Sequence, residues 1–361
     1  MGASMVETDV NNANASNTVF GLGTFGDVTV TPDGDPVAPA EVIRNLVEEA
    51  RLADRVGVDA WVLGEHHRDD FAVSSPEIVL AAAASVTERI LLATGVTVLS
   101  SDDPVRLFER FSTLDAVSNG RAEVQLGRGS FTESFPLFGY RLADYEVLFE
   151  EKLDLFVRLL DEQPVTWSGT TRSALVDQRV FPPTEHGLKA WVGVGGSPES
   201  VVRAARVGLP LAVAIIGGEP SRFAPFVQLY RRALAEMGRG DLPVAVHSPG
   251  HVAATDEEAF ERFIPHQRAM RARIGAERGW PAPTDAEFRH EVEHGSLYVG
   301  SADTVAAKIA TTVRTLGIQR FDLKYSGGTL PHEHAMDSIE RFGRDVIPKV
   351  RELLGEPAPT A

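Results

Sequence analysis

Glu65, His66 and His67 stand together where an apolar run, residues 58–63, gives way to Arg68-Asp69-Asp70. A carboxylate beside two imidazoles can hold, accept or donate a proton, because histidine changes charge near neutral pH. Neighbouring histidines on a loop need not share a direction, and this pair lacks the i, i+4 helical spacing of a zinc site. His332, Glu333 and His334 could still join them around a metal, and His247 and His251 lie in or beside a later strand. For each isolated histidine the plainer reading is a satisfied structural donor. For the adjacent pair we expect an acid/base or hydrogen-bonding role, and no metal.

Two turns could hold an anion. Gly193-Val194-Gly195-Gly196-Ser197-Pro198-Glu199-Ser200 follows a strand-like run and opens a helix. Its glycines let backbone N–H groups approach a phosphate, and Ser197 and Ser200 add hydroxyls at a helix N-terminus. A tight turn with Ser197 as an ordinary N-cap fits the same residues. Gly127-Arg128-Gly129-Ser130-Phe131 ends another strand-like run, and Arg128 could present its guanidinium to a phosphate or carboxylate bidentately. A surface arginine in a flexible turn is the alternative. Thr94-Gly95-Val96-Thr97-Val98-Leu99 has small apolar residues and no titratable group. By spacing alone it fills the interior rather than lining a ligand.

These candidates need a scaffold that gathers strand ends. Strand-like runs at 19–24, 58–63, 90–99, 122–126, 191–194, 211–216, 244–253 and 321–325 alternate with helical stretches at 40–56, 75–86, 104–117, 144–160, 198–207, 220–237, from 256, and 335–354. Eight alternations without a central linker predict a (β/α)8 TIM barrel, whose chemistry sits at the C-terminal ends of its strands. Ser75 is placed as an N-cap with Pro76 at N1. Gly57, Gly208 and Gly317 each follow a helical stretch, as expected of C′ glycines. Two longer intervals read as insertions after strands 4 and 7. Residues 164–189 suggest a short hairpin or irregular excursion. Residues 270–296, charged and centred on Gly279-Trp280-Pro281-Ala282-Pro283, read as a loop and candidate lid, since connections beyond about 12–15 residues are usually functional or disordered.

The chain has 361 residues and 43% hydrophobic content, enough for one large domain with a real core. We place that domain at 18–355, between a polar, disordered leader at 1–17 and a tail at 356–361. A net charge of −16 argues against nucleic acid and anionic membranes. The absence of cysteine excludes disulfides and thiolate chemistry and suits a reducing cytoplasm. No run approaches the roughly 18 apolar residues that span a bilayer.

Taken in order, Glu65-His66-His67, Val98-Leu99-Ser100-Ser101-Asp102-Asp103-Pro104-Val105-Arg106, Thr113-Leu114-Asp115-Ala116-Val117-Ser118-Asn119-Gly120-Arg121, Gly127-Arg128-Gly129 and Phe138-Gly139 resemble the bacterial-luciferase-like flavin monooxygenases. The resemblance resumes at residues 194–210 and at Tyr298-Val299-Gly300-Ser301-Ala302-Asp303-Thr304-Val305.

The resemblance implies a TIM barrel that binds reduced FMN, adds oxygen at the flavin C4a position and transfers one oxygen atom to a small organic substrate. By the same resemblance, Glu65 and His66 lie near the flavin and His66 matches the family's catalytic base. A non-prolyl cis peptide falls at Gly95-Val96 beneath the flavin ring, and Arg128, Ser197 and Ser200 match phosphate ligands. Gly127 replaces a cysteine of luciferase, and Gly196 an acidic residue. The expected site is therefore Glu65, His66 and His67 for catalysis. Glu65, Gly95, Val96, Gly127, Arg128, Ser130, Gly195, Gly196, Ser197 and Ser200 are expected to bind cofactor. The resemblance further implies O2 as co-substrate, a separate NAD(P)H:FMN reductase and a homodimer formed through the helices after the second and third strands. Two other readings stay open: a hydride-transfer enzyme using the deazaflavin coenzyme F420, and a flavin-binding protein without turnover. A metal-dependent hydrolase on the same barrel is a third.

Overall fold

Val19–Thr24 (β1) and Arg320–Lys324 (β8) come from opposite ends of the chain and pair in parallel, Val19 facing Arg320 and Gly23 facing Lys324. That pairing closes a ring. Between them run Ala60–Leu63 (β2), Leu91–Thr94 (β3), Ala122–Gly127 (β4), Lys189–Val194 (β5), Leu211–Ala214 (β6) and Val244–Val252 (β7). Each pairs in parallel with its neighbour in sequence order. The computed structural model, which describes residues 18–31, 33–129, 131–279 and 281–356, is a (β/α)8 barrel. The expected leader at 1–17 lies outside the described residues, as does all of the expected tail except Glu356. Glu356 accepts hydrogen bonds from the Thr18 amide at 3.2 Å and the Thr18 hydroxyl at 2.5 Å.

The main core lies between strands and helices. Phe20, Trp61, Leu92, Val124, Val213 and Phe321 project from the strands into a shell supplied by helices such as Pro39–Arg55, Pro104–Ser118 and Ala302–Leu316. The barrel interior is different. Arg320 on β8 donates to Glu123 on β4 at 2.5 Å and to Asp322 at 2.9 Å, all three side chains being almost fully buried. Strands four apart in a ring of eight face each other, so this ion pair crosses the barrel axis. Breaking it from one side would leave an uncompensated buried charge. Trp191, Ala212 and Ala245 form a small separate apolar cluster.

Most predicted elements recur with shifted ends. The run at 90–99 is not one strand: β3 stops at Thr94, the Gly95–Val96 peptide is cis, and Thr97–Val98 pairs with β4 before a 3-10 turn at Leu99–Ser101. Residues 164–189 contain an antiparallel pair, Val165–Trp167 with Leu175–Gln178. The interval at 270–296 is not mainly loop. The helix after β7 runs Asp256–Arg278, and a second, Asp285–Glu293, begins with a capping box between Thr284 and Glu287. Pro281 and Pro283 confine the irregular part to the junction, and their neighbour Trp280 lies outside the described residues. Strand-like character at Tyr298–Gly300, which pairs with the end of β7, was not anticipated. The last helical stretch begins at His332 and passes through a π-helical turn at Phe342–Val346. Ser75 caps Pro76–Ala84 by position only, with no side-chain hydrogen bond. Gly208 and Gly317 close their helices in the left-handed conformation.

Candidate active site

The C-terminal strand ends surround a cavity of about 370 Å³. That lies within the range of small-molecule pockets. One wall is built by the loop after β2. Glu65 accepts from His67 Nε2 at 2.9 Å with one oxygen and from the Val98 amide at 2.8 Å with the other. The carboxylate thus joins the histidine loop to the chain just beyond the cis peptide, and takes an amide that the broken β3 ladder leaves over.

His66 and His67 diverge. His67 turns to Glu65 and sets its ring edge against Phe138. His66 packs against Phe71 with centroids 4.2 Å apart and meets Phe25 and Phe131 edge-on at 5.0 and 5.1 Å. Burial pushes the His66 pKa down to about 4, because the imidazolium would lose its hydration among aromatic rings. At neutral pH it is a neutral imidazole, able to accept a proton.

Val96 forms a ridge in the middle. A Cβ added to Gly127 would stand 2.5 Å from Val96 Cγ2, and one added to Gly193 would stand 2.5 Å from Val96 Cγ1. The notch that seats this side chain therefore exists because β4 ends in Gly127 and β5 carries Gly193 just before its last residue. The same fact explains why a cysteine at 127 would not fit without moving Val96.

The opposite end is cationic. Arg128 Nη2 donates to Ser200 Oγ at 3.2 Å and Arg203 Nη1 to the same oxygen at 3.3 Å. Ser197 caps the helix Pro198–Val207, accepting from the Ser200 amide at 3.3 Å, and its hydroxyl lies 2.9 Å from Ser200 Oγ. Two guanidiniums, a hydroxyl and a helix N-terminus converge, which is the donor set of a phosphate site.

Of the expected residues, Glu65, His66, His67, Gly95, Val96, Gly127, Arg128, Gly195 and Ser200 line this cavity. Gly196 and Ser197 do not; Ser197 stands behind Ser200 as its cap, while Ser130 lies outside the described residues. His332, a conceivable metal ligand, instead pairs with Glu49 at 2.8 Å and does not line the cavity. Among the described residues no group of three His, Cys, Asp or Glu could hold a metal ion.

Three contributors escaped the sequence reading, and a fourth, His247, was read there only as a structural donor. Arg203 lies one helical turn after Ser200, so i, i+3 spacing could have revealed it. Gln125 sits two residues before Gly127 on β4 and shares its face. Phe25 directly follows β1. His247 shares a face of β7 with Ala245, and stacks on Phe25 at 5.7 Å. A Cβ on Gly23 would come within 2.9 Å of His247 Cε1, so a glycine on β1 makes room for that ring. Burial pushes its pKa down to about 3, with Lys324 and Arg320 adding to the effect.

The sequence matches the model of luciferase-like monooxygenases over residues 24–320. The chain belongs to that family. Among luciferase-like relatives, 4-hydroxyprotoasukamycin monooxygenase of Streptomyces nodosus subsp. asukaensis is 30% identical over 71% of this chain and 73% of its own. The oxygenating constituent of 3,6-diketocamphane monooxygenase from Pseudomonas putida, solved in complex with FMN, superposes with a TM-score of 0.73 at 21% identity, covering 93% of this chain and 99% of that one. The coenzyme F420-dependent tetrahydromethanopterin reductase of Methanopyrus kandleri gives 0.69 at 18% identity, covering 92% and 99%. At these identities the two structures establish a shared barrel. The family match and its named relatives make this luciferase-like protein an oxidoreductase of the flavin monooxygenase type.

Proposed function

We propose that the chain is an FMN-dependent monooxygenase that uses reduced flavin and O2 to insert one oxygen atom into a small organic substrate. The observation carrying this reading is the polarity of one continuous cavity, with a phosphate-type donor set at one end and a buried neutral imidazole at the other. FMN has matching parts, a phosphate and a flat aromatic ring. Arg128, Arg203 and Ser200 would hold the phosphate, and Val96 with the glycines around it would support the ring. When bound, reduced FMN supplies the electrons that activate oxygen. Around it, Glu65 would fix the loop after β2, the aromatic rings would exclude water, and His66 would move a proton as oxygen or substrate reacts.

The end of the helix Asp256–Arg278 acts as part of the cover. Glu277 accepts from Arg68 Nη2 at 2.7 Å, and the Arg68 guanidinium lies 4.6 Å from the Phe131 ring centroid beside His66. A separate NAD(P)H:FMN reductase supplies the reduced cofactor. A homodimer forms through the helices after β2 and β3, where Ile78 and Val117 are exposed apolar residues. The protein works in the cytoplasm.

The test is a titration with FMN, oxidised and then reduced without oxygen, compared with coenzyme F420. The reading expects micromolar or tighter FMN binding and oxygenated product once a flavin reductase, NADH, O2 and a substrate panel are added. Binding of F420 alone would replace oxygenation by hydride transfer.

A further inference from the structure

Glu146, in the first turn of the helix Tyr145–Leu159, does not itself line the cavity but reaches the two arginines at its cationic end. Its Oε1 pairs with Arg128 Nη1, and its Oε2 accepts from Arg203 Nη2 at 3.1 Å. Each arginine uses its other terminal nitrogen on the Ser200 hydroxyl, at 3.2 and 3.3 Å. One carboxylate therefore bridges two guanidiniums and sits against the donors that a phosphate would use.

We infer that Glu146 is a built-in competitor for the cofactor phosphate and sets how tightly that phosphate is held. The inference rests on the FMN reading. A phosphate dianion accepting from the same guanidinium nitrogens would stand beside the Glu146 carboxylate, and the two anions repel. One must yield. The Glu146 side chain is 62% exposed, so turning it into water costs little desolvation, whereas Arg203 is only 8% exposed and stays. Glu150 does not play this part, because it pairs with Arg203 and Arg206 and not with Arg128. With Glu146 as resident anion, the two arginines are neither bare nor mutually repelling before cofactor arrives. The consequence is a weakened, exchangeable grip on the phosphate, which suits a flavin that is reduced elsewhere and must come and go.

The experiment is flavin-fluorescence titration of the whole protein with FMN and with riboflavin, which lacks the phosphate. It compares the wild type, Glu146→Gln and Glu199→Gln. Glu199 lies in the first turn of the helix that Ser197 caps and makes no ion pair among the described residues, so its variant reports the general effect of removing one negative charge. The expected result is that Glu146→Gln lowers the FMN Kd by about tenfold, leaves riboflavin unchanged and exceeds the effect of Glu199→Gln. Weaker or unchanged FMN binding in Glu146→Gln would overturn the inference, showing that Glu146 holds the arginines in place. Equal tightening by Glu199→Gln would overturn it too, in favour of net charge. Wild-type FMN binding no tighter than riboflavin would remove the phosphate site itself, and the inference with it.

Discussion

The two ends of the cavity solve opposite problems. At the Arg128–Arg203 end, charge is partly open to solvent and shared among two guanidiniums, Glu146, Glu150 and a hydroxyl. At the His66 end, charge is suppressed: His66 lies among Phe25, Phe71 and Phe131, His247 stacks on Phe25, and burial pushes their pKa values down to about 4 and about 3. The first end can recognise an anion and let it go. The second can keep water out and take a proton on a group that is uncharged beforehand. The difference teaches that grip and chemistry here rest on separate elements, β4–β5 for one and β1–β2 with β7 for the other, and should be separable by mutation.

The largest separable effect belongs to the buried end. His66→Phe should cut product formation by about 10²–10⁴-fold, the usual contribution of a positioned proton acceptor, while FMN binding is kept. Loss of binding instead would move His66 from chemistry to grip. At the other end, Arg128→Ala with Arg203→Ala should weaken FMN binding by roughly a hundredfold and leave riboflavin unaffected, since two charge-assisted contacts go at once. Between the ends, Gly127→Val forces Val96 aside and overpacks the notch. It should cost about 1–3 kcal/mol, read as a lower melting temperature together with weaker binding of both flavins.

The buried end also carries a pH signature. His66 and His247 have folded pKa values below the unfolded one near 6.5, so the unfolded chain binds more protons between that value and about 4 or about 3. Their contribution to stability is fully present above pH 6.5 and is lost as the pH falls through that window. Urea unfolding of His247→Phe should show a shallower acid slope than wild type, whereas Arg128→Ala should not change it. The smallest effect is a control. Asp103 accepts from the Val105 amide at 2.9 Å as the N-cap of the helix Pro104–Ser118, and Asp103→Ala should cost about 1 kcal/mol without changing flavin binding at either end.

The barrel was legible because strand and helix patterns alternated eight times with clear punctuation. The histidine loop and parts of the two glycine-rich turns were legible too as strand-end segments that face one cavity, since strand-end glycines, acids and histidines announce themselves locally. What was not legible depends on contacts between distant strands. Nothing local says that Val96 needs glycines at 127 and 193, or that Gly23 leaves room for His247. The inward parity of β7 and the one-turn spacing from Ser200 to Arg203 were readable, but only after the strand face and helix start were fixed. The interval at 270–296 misled because Gly279 and two prolines within a charged stretch resemble a loop. Their effect is local, and helices form on both sides of them.

The most direct test of the account is a crystal structure of the protein with FMN bound. The account predicts the phosphate within hydrogen-bonding distance of Arg128, Arg203 and Ser200, the ring resting on Val96, and His66 facing its reactive edge. A phosphate bound away from those arginines, or a ring that does not touch Val96, would contradict it.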